Sequence, residues 1–256
     1  MRDGCVILHQ FEHSHFNEKV RWGLDWKGIP HRRVSHLPGP HALAIRRLSG
    51  QTSTPVLILD GECIAGSARI LAALERRFPE RPLLPADPEL CREALAIQSE
   101  FDAEVGPAAR TAIFSVLLGE PGYLCRIFAG GKPAATRFFY RALLPLAKPM
   151  IARANGTTDP QDVARAFERT RRALDFVEKQ IRPSGALVGD RFSIADLCCA
   201  SLLAVLVNPE HPDMHGPEPI PESVLAFQAQ WSGHPAARWV LEQYARHRPA
   251  SCALAD

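Results

Sequence analysis

The sequence has 256 residues, a length at which a chain forms one large hydrophobic core or two smaller ones, with two slightly favoured. Its 30 basic and 28 acidic residues are interspersed and leave a formal net charge of +2, so no basic patch indicates nucleic-acid binding. Hydrophobic residues make up 46% of the chain, yet no apolar stretch is long enough to span a bilayer. These features predict a globular protein that binds neither nucleic acid nor membrane.

The first third of the sequence alternates between strand and helix patterns. A short apolar run predicts a buried strand at its start, and apolar residues four apart then predict a helix that Gly28 and Pro30 end. Asp60-Gly61 predicts a two-residue hairpin turn between two further strands. The predicted elements are strand 6–8, helix 14–27, strand 31–37, helix 41–48, strands 56–59 and 63–64, and helix 67–78. The order βαβαββα predicts a compact α/β domain over residues 1–80.

The rest of the chain is predicted to be all-helical. A proline-rich segment has the composition of a linker, and we place it at 81–88, before a helical domain over 89–256. Helices are predicted at 89–118, 134–154, 160–181, 193–207 and 235–246, with prolines bending the second of them. Residues 119–133 are predicted to be a glycine-rich break and 208–221 a loop.

The spacing of the cysteines and histidines does not indicate a metal site. The chain has an odd number of cysteines, none in a C-x-x-C motif or at zinc spacing. His211 and His215 have H-x₃-H spacing, but the surrounding prolines argue against a helix that would bring them together. The N-terminus lacks the apolar segment of a secretory signal, and scattered cysteines suit a reducing compartment, so we expect a cytoplasmic protein without a metal. The cysteines are Cys5, Cys63, Cys91, Cys125, Cys198, Cys199 and Cys252.

Several motifs, in order along the chain, resemble those of the cytosolic glutathione transferases. Ser14 opens a helix that reads K-V-R at 19–21 and ends K-G-I-P at 27–30. Thr54-Pro55 is followed by a strand and a D-G turn, and residues 189–196 read G-D-x-x-S-x-A-D. The resemblance implies a thioredoxin-like domain followed by an all-helical bundle, a homodimer, and glutathione as co-substrate without a metal. The second substrate would be a small hydrophobic electrophile.

Ser14 is the candidate catalytic residue that this resemblance implies. Ionising most of the glutathione thiol at neutral pH requires lowering its pKa from about 8.5 by about 2 units, or roughly 2.7 kcal/mol. A helix N-terminus supplies up to about 2 kcal/mol and a hydroxyl hydrogen bond to an anion about 1.5–3 kcal/mol. Without the resemblance, Ser14 is a plain N-cap worth about 1 kcal/mol of helix stability.

A serine hydrolase is an alternative that we discount. His13 and His15 flank Ser14. Adjacent residues on a helix point apart, and no G-x-S-x-G elbow surrounds the serine.

Five further residues are candidates for binding glutathione. We expect the bond before Pro55 to be cis, as the resemblance implies, which would let the backbone of Thr54 pair with the cysteinyl unit. The alternative is a proline that ends a loop before a strand. Ser67, expected to cap the next helix, would bind the γ-glutamyl carboxylate. Gly66 stands where many relatives have an acid that contributes to binding the γ-glutamyl ammonium group, so glutathione affinity is reduced or that contact is supplied elsewhere. His41 lies where some relatives have a basic residue for the glycine carboxylate.

The second-substrate pocket is expected in the helical domain. The resemblance places it at the helices that open the second domain, where Phe114, Tyr123 and Phe128 lie. Aromatic residues at helical spacing are more often core. The segment 119–133 would form a lid over this pocket.

The sequence thus predicts a glutathione transferase that conjugates glutathione to small electrophiles. One alternative is a catalytically silent binding module, which Gly66 and His15, a replacement for the usual proline, both favour. Another is a glutathione-dependent isomerase or dehalogenase. A serine rather than a cysteine at position 14 argues against thiol exchange.

Overall fold

The computed structural model describes residues 6–255, so Cys5 lies outside the described residues. Its first part contains a four-stranded sheet and three helices, in the predicted order. These elements are β1 (Ile7–Gln10), α1 (His15–Trp26), β2 (Arg32–Ser35), α2 (His41–Ser49), β3 (Val56–Leu59), β4 (Glu62–Ala65) and α3 (Ser67–Arg77).

The sheet has the strand order β2-β1-β3-β4. Strand β1 pairs in parallel with β2 and antiparallel with β3, with Leu8 opposite Leu57. Both of these side chains are fully buried, as are Val56 and Leu59. The continuous apolar run of β3 is typical of a strand that is covered on both faces of the sheet. This mixed sheet with its helices confirms the predicted thioredoxin-like fold.

The second part of the chain is helical, as predicted. Its helices are α4 (Pro88–Glu100), α5 (Gly106–Leu117), α6 (Pro121–Ala129), α7 (Ala134–Ala154), α8 (Pro160–Gln180), α9 (Ile194–Leu203), α10 (Glu222–Ser232) and α11 (Pro235–His247). None of the helices between residues 6 and 255 has both the length and the apolar character that crossing a membrane requires. The division into 1–80, 81–88 and 89–256 stays a prediction.

Three helix predictions need correction. The expected break at 119–133 contains helix α6, because Pro121 and Gly122 are both accommodated in its first turn and the other glycines of the segment lie outside the helix. Helix α10, between Pro221 and Gly233, was not predicted. The predicted helix 89–118 is divided by a π-helical turn at Phe101–Val105. Pro107 follows this turn, and a proline cannot continue the regular hydrogen-bond ladder.

Helix α9 lies at the centre of the molecule. All ten of its residues are buried, and it contacts α1, α4 and α11. Its start is fixed by Asp196, whose carboxylate accepts hydrogen bonds from the amides of Leu187 at 2.7 Å and Ser193 at 2.8 Å and from the Ser193 hydroxyl at 2.8 Å. Burial raises the pKa of the Cys198 thiol in this helix to about 12, which makes that cysteine a packing residue. The core therefore runs without a gap from the sheet through α1 into the helical part.

A buried ion-pair network ties α1 to the C-terminal segment. Arg248 is fully buried and donates to Glu18 at 2.7 Å, Asp25 at 2.8 Å and Asp213 at 2.7 Å. The side chains of Glu18 and Asp25 are also fully buried. Because α1 carries these two acids, the network fixes the helix whose amino end forms part of the cavity described below. Its three acids and three arginines are Glu18, Asp25, Asp213, Arg21, Arg33 and Arg248.

Candidate functional site

A cavity of about 530 Å³ opens between the amino end of α1 and the helices α5, α6 and α7. Its volume lies in the range of about 300–1,000 Å³ that is usual for small-molecule sites. The sheet-bearing part of the chain contributes Ser14, His41 and Thr54 to the wall, and the helical part contributes mostly apolar side chains. Three of the six predicted site residues therefore line one cavity.

Ser14 is the N-cap residue of α1. Its backbone is extended, with φ −92° and ψ 125°, and its carbonyl accepts the first helical hydrogen bond from Glu18 at 2.8 Å. Its hydroxyl caps no amide and has no hydrogen-bond partner among residues 6–255. The first-turn amides at 15–17 consequently have no capping side chain. A hydroxyl and uncapped amides at a helix N-terminus form a site that favours an anion.

Thr54 lies two residues before β3 and also lines the cavity. The Thr54–Pro55 bond is cis, as predicted. The backbone N–H and C=O of Thr54 make no hydrogen bond within the described part of the chain. Its hydroxyl accepts a hydrogen bond from the amide of Asn17 at 3.2 Å. Asn17 is fully buried on α1, so it fixes Thr54 relative to the helix. Asn17 was not predicted as a site residue, although a polar residue on the buried face of a helix could have indicated it.

Gly66, Ser67 and Pro55 do not line the cavity. Gly66 is the N-cap of α3, and its N–H donates to the Pro55 carbonyl at 3.0 Å. Its φ of 93° lies in a region that disfavours residues with a side chain, which accounts for a glycine at this position. Ser67 is the first helical residue and makes no capping hydrogen bond, so its prediction as the helix cap was wrong.

His41 lies in the cavity wall at the start of α2. Its Nδ1 accepts a hydrogen bond from the Gly39 amide at 3.1 Å, so that nitrogen carries no proton. Burial lowers the pKa of the ring, although hydrogen bonds to the backbone of Thr52 and Leu37 oppose this shift, so the ring is mainly neutral at neutral pH. A neutral imidazole attracts a carboxylate less than a cation does. Its role in binding glutathione stays a prediction.

The two histidines beside Ser14 also line the cavity. His13 has a φ of 52° and precedes the helix, so the argument that both histidines lie on a helix was wrong for His13. No hydrogen bond joins either ring to the Ser14 hydroxyl in the part of the chain that is described. Instead, His15 donates from Nε2 to the Gly106 carbonyl at 3.0 Å and ties α1 to α5. The geometry gives no support to a Ser–His hydrolase.

Burial keeps both of these rings neutral. It lowers the pKa of His15 to about 3, with a further contribution from the charge of Arg110. Burial, and then the charge of Arg21, lowers the pKa of His13 to about 4. At neutral pH neither ring adds a positive charge beside Ser14. The hydroxyl and the helix amides are then the groups of Ser14 and the first turn that can stabilise an anion there.

The neutral His15 should make the fold sensitive to acid. Its pKa falls from 6.5 in the unfolded chain to about 3 in the fold, so the unfolded state binds more protons as the pH drops through that window. We expect His15 to remove about 2 kcal/mol of stability between pH 7 and pH 5. In His15→Gln, which retains a donor for Gly106, the loss measured by urea unfolding should be smaller by that amount. His215→Gln, a half-exposed control, should behave as wild type, and an equal loss in His15→Gln would refute this assignment.

The helical wall of the cavity contains the aromatic residues that were predicted for it, but the break predicted at 119–133 contains a helix. Phe114, Tyr123 and Phe128 all line the cavity. The expected lid is helix α6, and its Phe128 packs edge-on against Phe11 with ring centroids 6.2 Å apart. The segment therefore forms a packed wall of the cavity that reaches the sheet-bearing part of the chain.

Two polar residues of the helical wall were not predicted. Arg110 on α5 and Tyr140 on α7 both line the cavity. The residues around Arg110 are mostly small or apolar, so a single arginine among them could have indicated a functional residue. Nothing in the sequence distinguishes Tyr140 from a core tyrosine.

Two groups of acids and histidines lie close enough together to be considered as metal sites. In the first, the carboxylates of Glu18 and Asp213 lie near His211, but both are already paired with arginines in the buried network. In the second, His234 is 3.1 Å from Asp175, whose side chain is half exposed. The arginine pairs account for the first group and the hydrogen bond between His234 and Asp175 for the second, and His215 belongs to neither.

Comparisons with known proteins agree with this architecture. Residues 8–82 match the family described as glutathione S-transferase, N-terminal domain, and residues 160–239 match the glutathione S-transferase C-terminal domain. Together the two matches cover more than half of the chain. A probable glutathione S-transferase of Solanum tuberosum is 28% identical over 111 residues, which are 43% of this chain and 51% of that protein. The match thus spans about half the length of that relative.

Solved structures show the same fold at low sequence identity. A glutathione S-transferase of Methylobacterium radiotolerans, in complex with glutathione sulfonate, is 19% identical with a TM-score of 0.57, over 98% of both chains. Another from Methylobacillus flagellatus, with glutathione bound, is 17% identical with a TM-score of 0.61, over 94% of this chain and 95% of that one.

Proposed function

The chain belongs to the glutathione S-transferase family, and we propose that it binds glutathione, ionises its thiol and transfers the sulfur to a small electrophile. Ser14 would stabilise the thiolate. One observation carries the proposal: the Ser14 hydroxyl, without a hydrogen-bond partner among residues 6–255, stands at the amino end of α1 in the wall of a cavity that Thr54 shares. The proposed step forms a carbon–sulfur bond and expels a leaving group such as chloride, while the thiol proton goes to solvent.

The available interactions are large enough for this chemistry. Lowering the thiol pKa by about 2 units needs roughly 2.7 kcal/mol in favour of the anion. The uncapped helix end contributes up to about 2 kcal/mol and the serine hydroxyl about 1.5–3 kcal/mol. These two contributions together reach the required total. They do so without a charge on His13 or His15, whose rings are neutral.

The proposed orientation of glutathione follows from the remaining residues. The unpaired backbone of Thr54 would pair with the cysteinyl unit as an added strand does, which places the sulfur towards Ser14. The γ-glutamyl end would extend past Pro55 to the amino end of α3, at Gly66 and Ser67. His41 would meet the glycine carboxylate. The glutathione bound in the Methylobacillus flagellatus relative supports glutathione as the co-substrate.

Calorimetry and a rate assay test the proposal together. We expect glutathione to bind at or below millimolar concentration, and chlorodinitrobenzene to be conjugated faster than without enzyme. Binding without turnover of any electrophile would favour the catalytically silent module, and no heat at millimolar glutathione would contradict the proposal. Product analysis separates conjugation from glutathione-dependent isomerisation or dehalogenation, since these reactions share the thiolate.

We also propose that the protein is a homodimer, as its family resemblance implies. Light scattering after size exclusion should then give twice the chain mass of 28.2 kDa. A mass of one chain at micromolar concentration would contradict this.

A further inference from the structure

One arginine in the cavity wall lacks the partner that buried arginines need. No acidic side chain of the described residues pairs with Arg110, and its Nε is buried without a hydrogen bond. Burial alone lowers its pKa. The buried Arg21 and Arg248, by contrast, are each paired with carboxylates. A partly buried guanidinium without a counter-charge is costly, and a bound anion would remove that cost.

A tyrosine hydroxyl in the same wall is also unpartnered. The hydroxyl of Tyr140 is buried and has no hydrogen bond among residues 6–255. Burial, and then the nearby Cys125, raises the pKa of this phenol to about 12, so it remains a neutral O–H donor at physiological pH. Both residues line the cavity, and neither of these two donor groups has an acceptor among residues 6–255.

The remainder of this wall is mostly apolar. Ile113 and Phe114 follow Arg110 on α5, and Ile151 follows Tyr140 on α7. In such surroundings the attraction between unlike charges is stronger than in water. The lining suits a molecule with an apolar body and one anionic group.

We propose that Arg110 and Tyr140 form an anion subsite that selects an electrophile carrying a carboxylate. The inference rests on the proposed function only in treating the ligand as the second substrate. The guanidinium pairs with the carboxylate, the phenol donates to it, and the apolar wall holds the body of the electrophile against the glutathione sulfur. Glutathione itself is assigned elsewhere, since the residues proposed for it lie in the sheet-bearing part of the chain and Arg110 lies on α5.

The test compares a chloronitrobenzoate with its carboxamide, each rate being divided by its uncatalysed rate. In both, the thiolate displaces chloride. We expect kcat/KM to favour the carboxylate by about 10- to 100-fold in the wild type, and Arg110→Gln to abolish this preference while sparing the carboxamide. Arg110→Lys should restore part of it, and Tyr140→Phe should lower it less than Arg110→Gln does. Arg141→Gln, an exposed change on α7, is the matched control and should retain the preference.

A binding arm keeps this inference separable from the proposed function. Unreactive nitrobenzoate and nitrobenzamide are titrated into the protein without glutathione, and the benzoate should bind about tenfold more tightly or better in the wild type alone. An equal preference in wild type and Arg110→Gln would overturn the inference. So would a loss of glutathione affinity in Arg110→Gln without a loss of benzoate affinity. If no electrophile is conjugated, chlorodinitrobenzene included, the proposed function fails while this arm still decides the subsite.

Discussion

Replacing Ser14 with alanine is expected to lower kcat/KM for conjugation by about 10- to 100-fold. The removed hydrogen bond from the hydroxyl to the thiolate is worth about 1.5–3 kcal/mol, and each 1.4 kcal/mol is a factor of ten in rate. The helix amides remain in the variant, so activity should fall rather than disappear. Steady-state rates at saturating and limiting glutathione measure the effect.

Stability distinguishes this role from that of a helix cap. A capping serine would contribute about 1 kcal/mol to stability, but the Ser14 hydroxyl caps no amide. Ser14→Ala should therefore unfold within about 0.5 kcal/mol of wild type. Ser14→Thr keeps the hydroxyl and should retain most of the rate. An unchanged rate in the alanine variant, or a rate loss matched by lost stability, would contradict the assignment.

The second large effect is expected at Arg248. Arg248→Ala removes the partner of Glu18 and Asp25, whose side chains are both fully buried. Breaking one side of a buried ion pair costs about 3–5 kcal/mol because the remaining charge stays desolvated. Arg21 and Arg33 compensate only part of the loss, since each is already bonded to an acid of the network. Urea unfolding at neutral pH measures the change.

An exposed arginine nearby provides the control. Arg246 pairs with Glu242 one turn away on α11, and both side chains are more than half exposed. Arg246→Ala should change stability by less than about 0.5 kcal/mol. If Arg248→Ala cost no more than this control, the network would not be what fixes α1 against the C-terminal segment.

Local patterns were enough to predict most of the fold. The apolar run of β3 and the four-residue spacing on α1 depend on neighbours in sequence, and both elements lie where predicted. Helix α6 was missed because proline and glycine mark the ends of helices as well as loops. The ion-pair network could not be predicted, because Arg248 meets acids more than 200 positions away in the chain.

The candidate site was predictable in its sheet-bearing half and in the aromatic residues of its helical wall, but not in Arg110 and Tyr140. Ser14 and Thr54 stand in motifs with recognisable spacing, and the structure brings them to one cavity. The importance of Arg110 lies in the absence of a partner for it among the described residues, which is a property of packing. The same is true of Tyr140. No pattern of neighbouring residues reports such an absence.

The central claim is that Ser14 and the amino end of α1 hold glutathione as a thiolate. Thiolate absorbance in the ultraviolet, followed against pH with saturating glutathione, measures this directly. Bound glutathione should ionise with a pKa about 2 units below the value near 8.5 for a free thiol, and in Ser14→Ala the pKa should return most of the way. Bound glutathione that ionised at the same pH as free glutathione would contradict the claim.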